Sequence, residues 1–232
     1  MLSRCVVRNR ICLTALLLSG SCALLAFRGT DDNDWLIVPG KRVGPITAAA
    51  THADLAKIFG AKNIQDDEIV TSDMGSEDGT RVFGDQPEIS LAIFWLTEAA
   101  NSHIRRIRFC PSLVMPHKCR WHTAEGISLG TSLKELERLN GHAFEVNGFD
   151  WGFGGLIVSW HGGRLEKLTS SCGGLNVRLD PQPGQPSGER SRLLDLVEGD
   201  EDFDSSEAAM QALNPIVDFI SFSFQNCKGS TR

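Results

Sequence analysis

The segment from Ile46 to Gly60 aligns without gaps on the segment from Ile127 to Gly141, and this internal repeat restricts the fold more than any other feature of the chain. Ile46/Ile127, Leu55/Leu136 and Gly60/Gly141 are identical. Thr47/Ser128, Thr51/Ser132, Asp54/Glu135, Lys57/Arg138 and Ile58/Leu139 are similar. The shared pattern has a physical reading. Thr51 and Ser132 stand where a helix needs an N-cap, and Asp54 and Glu135, three residues on, complete a capping-box pattern. Leu55 with Ile58, and Leu136 with Leu139, supply the i, i+3 apolar stripe of a short helix. Gly60 and Gly141 fall where such a helix ends in a left-handed cap.

Strand patterns follow each helix. Ile89 to Leu96 matches Leu156 to Trp160, both apolar and both carrying a Trp at the end, and Ile107-Arg-Phe109 matches Val177-Arg-Leu179. The expected fold class is therefore α+β: two tandem modules, each a short capped helix plus an antiparallel strand meander. The first module spans 35–112 and the second 121–228. Thr71 to Gly79 reads as a polar, turn-rich stretch between strands, and 181–207 as an acidic loop inserted in the second module. Ser205 to Leu213 reads as a short helix stopped by Pro215, and Val217 to Phe224 as a half-buried last strand.

Ahead of the repeat, Arg4, Arg8 and Arg10 precede an uncharged run from Ile11 to Phe27. That run is short of the roughly 20 residues a permanent spanning helix needs, so residues 1–27 read as a signal peptide or membrane anchor. Three fates fit the residues. Ser21-Cys-Ala23 offers a cleavage site, Leu18-Ser-Gly-Ser-Cys22 resembles a lipoprotein box with Cys22 as the acylated residue, and an uncleaved signal anchor is the third. The expected location is periplasmic or extracellular, with membrane contact only through this segment.

The formal charge of −6 includes three arginines and no acid before residue 28, so the remainder carries −9. That balance argues against nucleic acid as a partner and against adhesion to anionic lipid through a basic surface. Beyond the export segment the cysteines are Cys110, Cys119, Cys172 and Cys227, an even set that suits disulfides in an exported chain. Cys110–Cys119, closing a loop around Pro111 and Pro116, and Cys172–Cys227 form the favoured pairing. His117 and His122 flank Cys119, but the spacing matches no recognised zinc site.

Val43-Gly-Pro-Ile46 followed by Leu55-Ala-Lys-Ile-Phe-Gly60, the export signal and the Trp-ended strands together resemble a family of exported bacterial proteins. Its tandem modules are similar to those of the outer-membrane-assembly lipoprotein BamE and of β-lactamase-inhibitor protein. The resemblance covers about residues 35–225. It implies a binding or scaffolding role rather than catalysis; the expected partner, from the whole reading, is an envelope protein or a glycan.

Asn147 to Gly155 carries Phe149, Trp151 and Phe153 in alternation, which places all three on one strand face, with glycines that let a partner approach. These aromatics form the candidate contact surface, against the plainer reading that they pack under a helix. Asp195 to Glu207 is rich in acids; Asp200-x-Asp202-x-Asp204 starts like a calcium loop but has Ser205 where Gly is needed and Gln211 where Glu is needed. A solvated, mobile loop is the expectation there. His161-Gly-Gly163 is similar to an oxyanion segment, yet no Gly-x-Ser-x-Gly elbow accompanies it. His52 and His142 read as surface residues. No cofactor and no catalytic residue is expected; the competing reading is a secreted hydrolase with an unrecognised site.

Overall fold

Thr51 begins the first helix as its sequence suggests. In the computed structural model, which describes residues 34–72, 75–96, 103–111, 116–150, 152, 154–169, 173–181 and 188–224, the Thr51 hydroxyl accepts from the Asp54 N–H at 3.3 Å, and the Asp54 carboxylate accepts from the Thr51 N–H at 3.1 Å. This closed capping box starts α1 (His52–Phe59), and Leu55 is its buried residue. Ser132 starts α2 (Leu133–Asn140) in the same way, accepting from the Glu135 N–H at 3.3 Å. Here the box is half closed, because Glu135 turns away to make two hydrogen bonds with Arg138. Gly141 takes the expected left-handed cap, with φ 97° and ψ −7°. Gly60 does not: its φ is 85° but its ψ is 134°, which sends the chain into a 3-10 turn at Ala61–Asn63 rather than closing the helix. Two shorter helices follow, α3 (Glu189–Leu194) and α4 (Ala208–Leu213), the latter ended by Asn214 in the left-handed conformation just before Pro215.

The strands, in chain order, are β1 (Leu36–Val38), β2 (Arg42–Val43), β3 (Ile46–Thr47), β4 (Ile64–Ser72), β5 (Gly75–Val82), β6 (Leu91–Trp95), β7 (Ile104–Phe109), β8 (His122–Thr123), β9 (Glu145–Asn147), β10 (Ile157–Ser159), β11 (Gly174–Asp180), β12 (Asp202–Asp204) and β13 (Ile216–Ser223). They make one large antiparallel sheet in the order β11-β13-β7-β6-β5-β4 and two small ones, β3-β2-β1-β8 and β10-β9-β12. The class is thus α+β, as the sequence indicates.

The strand equivalence drawn from sequence is displaced by one. After α1, neighbours succeed one another as β4-β5-β6-β7. After α2 the succession is β9-β10, then a bridge from Leu156 to Arg178 that leads to β11, then β13. Leu91–Trp95 is therefore the third strand of its series, whereas Ile157–Ser159 is the second. Their common apolar-Trp pattern records that Trp95 and Trp160 are both buried, not that the strands are equivalent. The last strands of the two series, β7 and β13, pair antiparallel within the large sheet, and the described residues fall in one compact unit.

Two stretches expected to be loops are ordered elements. Thr71 to Gly79 belongs largely to the β4–β5 ribbon. The acid-rich segment holds α3, the fully buried Val197, and β12, which pairs with β9. Apolar Leu193, Leu194, Val197 and Phe203 anchor it to the core despite its charge, so from residue 188 onward the expected mobile loop is structured. Residues 182–187 lie outside the described residues.

The sheet separates two unequal layers. One side carries Val82, Ile93, Ile107, Val177, Ile220 and Phe222, and these join Leu55 of α1, Leu136 of α2 and Met210 of α4 in one continuous core. Each such side chain contributes about 1.5–3 kcal/mol on burial. Among the described residues the other side contributes only a small cluster of strand residues, Ile69, Ala92 and Phe94, and no described helix residue belongs to it. Cys110 and Cys119 form the expected disulfide, joining the end of β7 to the segment before β8. Cys22, Cys172, Cys227 and residues 1–27 lie outside the described residues. Among the described residues no helix is long and apolar enough to cross a membrane.

Candidate functional site

Pleating decides what stands on the helix-free side of the large sheet, because alternate residues of each strand point to opposite faces. The register runs Arg81↔Ala92, Ala92↔Arg108, Arg108↔Ser221 and Ser221↔Asn176, which sets these five residues in one row across β5, β6, β7, β13 and β11. The adjacent row runs Phe94↔Arg106, Arg106↔Ser223 and Ser223↔Gly174, and a third pair is Arg178↔Phe219. Four guanidinium groups thus rise from a floor of mostly small side chains. Ile69 reaches over Gly79 to pack on this floor: a Cβ at Gly79 would meet the Ile69 Cδ1 at 2.7 Å.

The arginines are held by aromatic faces and by too few acids. The Arg106 guanidinium lies 4.4 Å from the Phe94 ring centroid, and those of Arg108 and Arg178 lie 5.0 and 5.3 Å from that of Phe219. These are cation–π distances. Arg81 pairs with Asp67 at 2.7 Å, Arg178 with Asp218 at 2.6 Å, and Arg106 with Glu77 at 3.4 Å. Glu77 is shared with Arg105, which it pairs more closely. Arg108 bonds the Val70 carbonyl at 3.2 Å, and among the described residues no carboxylate forms an ion pair with it. The Arg106 Nε is buried without a hydrogen-bond partner. Burial pushes the Arg108 guanidinium below its ordinary pKa, and the charges of Arg178, Arg106 and Arg81 push the same way against the single opposing effect of Asp218. Arg106 is lowered by burial first and then by Arg105. Both stay protonated at any ordinary pH, so the centre of this face holds positive charge that the described residues leave incompletely compensated.

Of the three aromatics expected to form a contact surface, Phe149 is described and lies in the core, 3 % exposed. Its N–H donates to the Val197 carbonyl, and its carbonyl accepts from Gly199. Trp151 and Phe153 lie outside the described residues. The glycines nearby serve internal packing: a Cβ on Gly155 would sit 2.0 Å from the Leu179 carbonyl oxygen, and one on Gly148 would sit 2.6 Å from that of Gly199. Asp202 and Asp204 are strand residues, bonded to Asn147 and Ser206, and among the described residues no three ligating side chains converge for a metal. The sulfurs of Cys110 and Cys119 are bonded to each other.

His161 sits near Glu145 at 3.7 Å and Asp204 at 4.0 Å, on the surface. His142 places its Nδ1 2.8 Å from the Ala143 carbonyl. The His52 Nε2 lies 3.0 Å from Asp66 Oδ1. Asp66 also borders a polar cleft of about 600 Å³ with Glu68, Asp78, Trp95, Leu96 and Arg105. The next hydroxyl along is Thr80, which is fully buried, donates to Asp66 at 2.7 Å and accepts from the Trp95 indole at 2.9 Å. A hydroxyl placed so cannot reach a substrate. The chain of contacts ties α1 to β4, β5 and β6.

The arginine face was missed in the sequence although part of its signal is local. In Ile104-Arg-Arg-Ile-Arg-Phe109 a period of two puts Arg106 and Arg108 opposite Ile107 and Phe109. Both matched tripeptides, Ile107-Arg-Phe109 and Val177-Arg-Leu179, have Arg at the centre. In comparisons with protein-family models, curated proteins and solved structures, the chain matches none.

Proposed function

We propose that this chain is a non-catalytic binding protein that docks another protein on the helix-free face of its large sheet. The observation that carries the reading is the convergence of Arg81, Arg106, Arg108 and Arg178 on one face, over the half-buried Phe219 and the buried Phe94. Arginine and aromatic residues are the side chains that dominate protein interfaces, since each combines a large contact area with directed polar or quadrupolar attraction. Rows crossing five strands from β5 to β11 extend about 19 Å at ~4.8 Å per strand step, the width of a modest protein contact. The basic and then uncharged N-terminal residues support work in the cell envelope after export. The order β4-β5-β6-β7 beside β9-β10-β11-β13, each after a capped helix, supports descent of the two halves from one duplicated module. The likeness to BamE-like modules rests on the sequence motifs.

The test places a photo-reactive amino acid at exposed Asn176, on this face, and in a second variant at exposed Lys134, on α2. The expected result is one identified protein cross-linked from position 176 and not from 134, and joined again when the two purified proteins are mixed. Cross-linking from 134 alone, or equally from both, would overturn the docking face.

A further inference from the structure

The charge on this face says what kind of protein it fits. Resting on the docking reading above, we infer that the partner presents a short acidic segment whose carboxylates seat on Arg108 and Arg106, with apolar side chains against Phe219. Three observations lead there. Among the described residues, Asp67, Asp218 and Glu77 form ion pairs with Arg81, Arg178 and Arg106, none does so with Arg108, and Glu77 is shared with Arg105 outside the row. Arg108, at the middle of the row, is flanked by Ala92 on one side strand and Ser221 on the other, so small neighbours leave room for a planar carboxylate at the guanidinium nitrogens that the Val70 carbonyl does not occupy. Like-charged Arg106 and Arg178 stand beside it, and an anion placed among the three relieves their mutual repulsion as it binds.

The rest of the chain limits the length of that segment. Beyond residue 27 the formal charge is −9, so the basic face is an island. A long polyanion such as a nucleic acid would gain on the island and be repelled past its edges. A face about 19 Å across takes about six residues of extended chain at ~3.3 Å each. Two or three acids alternating with apolar residues match its rows. Buried charge pairs of this sort set specificity and on-rate, and they weaken as salt rises where they remain partly wet.

The experiment uses the purified chain and a fluorescent peptide of about twelve residues in which Glu alternates with Leu, together with its Gln counterpart. Binding is read by anisotropy, and its place by backbone amide shifts. The expected result is that the Glu peptide binds, shifting amides of β7, β13 and β11, and that the Gln peptide does not. Arg108→Gln weakens binding about tenfold or more, and so does Asn176→Asp, which adds a negative charge to the row without touching an arginine; melting curves show both variants folded. Equal affinity for the two peptides, no binding of either, shifts confined to another surface, or tighter binding of an oligonucleotide of equal charge would each overturn the acidic-segment inference. If cross-linking at 176 still identifies a partner when the peptides fail, the docking face stands and the partner's chemistry is different. If both fail, the face itself is wrong.

Discussion

Removing the Cys110–Cys119 disulfide tests how the arginine face is held, because the bond clamps the end of the strand that carries Arg106 and Arg108. The two cysteines are separated by 9 residues along the chain. Closing a loop of that size takes about 2.5 kcal/mol of conformational freedom from the unfolded chain. For about 200 folded residues, each kcal/mol moves the melting temperature by about 2–4 °C, so the loss should appear as a fall of about 5–10 °C. Both cysteines are nearly buried, at 3 % and 8 % exposure, so reductant should act slowly and through opening of the native state. The assay is a pair of melting curves, one for Cys110→Ala with Cys119→Ala and one for the reduced wild type, which keeps the sulfur volume. Agreement between the two assigns the loss to the cross-link itself. Amide shifts of Arg106 and Arg108 should move in both samples, since the β7 end is no longer tied to the segment before β8. A melting temperature within about 1 °C of the oxidised protein, with these shifts unmoved, would refute the view that the bond restrains this strand.

Two other perturbations probe the scaffold. Thr51→Ala removes the N-cap of α1 and should cost about 1 kcal/mol in denaturant unfolding at neutral pH. Hydrogen bonds from Thr51, first its side chain, then Lys57, hold the Asp54 pKa down to about 2; a depressed carboxylate stabilises above its unfolded pKa, so this contribution should fade as pH falls from about 4 to about 2, and in the variant a carbon-detected titration should find Asp54 nearer its ordinary value. Gly155→Ala forces a Cβ to within 2.0 Å of the Leu179 carbonyl at a residue with φ of 76°; the expected loss is about 2–4 kcal/mol in denaturant unfolding, and a loss under about 0.5 kcal/mol would show that the β10–β11 junction is looser than drawn here.

How much of this molecule could be read from its sequence depends on the range of the interaction concerned. The helix starts at Thr51 and Ser132 were legible because a cap is decided by residues three apart. The short-loop disulfide and β13 were legible for the same reason. Strand equivalence was not, since Leu-Ala-Ile-Phe-Trp95 and Leu-Ile-Val-Ser-Trp160 look alike locally and only hydrogen-bond partners show that they hold different places in their series. Phe149 misled because alternating aromatics have one appearance whether the face they share is core or surface. In the acid-rich segment, Leu193, Leu194 and Val197 were outweighed in composition by the charges around them, yet three apolar anchors suffice to order a helix and a turn against a core. The candidate face was hardest, as its members come from positions 81, 94, 106, 108, 178 and 219 and meet only through the sheet register.

The same register explains why this face takes arginine and not a simpler residue. A sheet with helices on one side only leaves the other to water, and a bare apolar face of six strands would associate with any sheet it met. Short polar residues would prevent that, as Ser221, Ser223 and Asn176 do on part of the face. They would leave Phe94 and Phe219 uncovered. Arginine does both jobs: its stem and planar head lie over the rings at 4.4–5.3 Å while part of the guanidinium still meets water. Three carboxylates would have sufficed to neutralise three such residues, and a face built for solubility alone could have stopped there. Among the described residues Arg108 stands at the centre without an acid of its own, and that is the place the proposed acidic segment would fill.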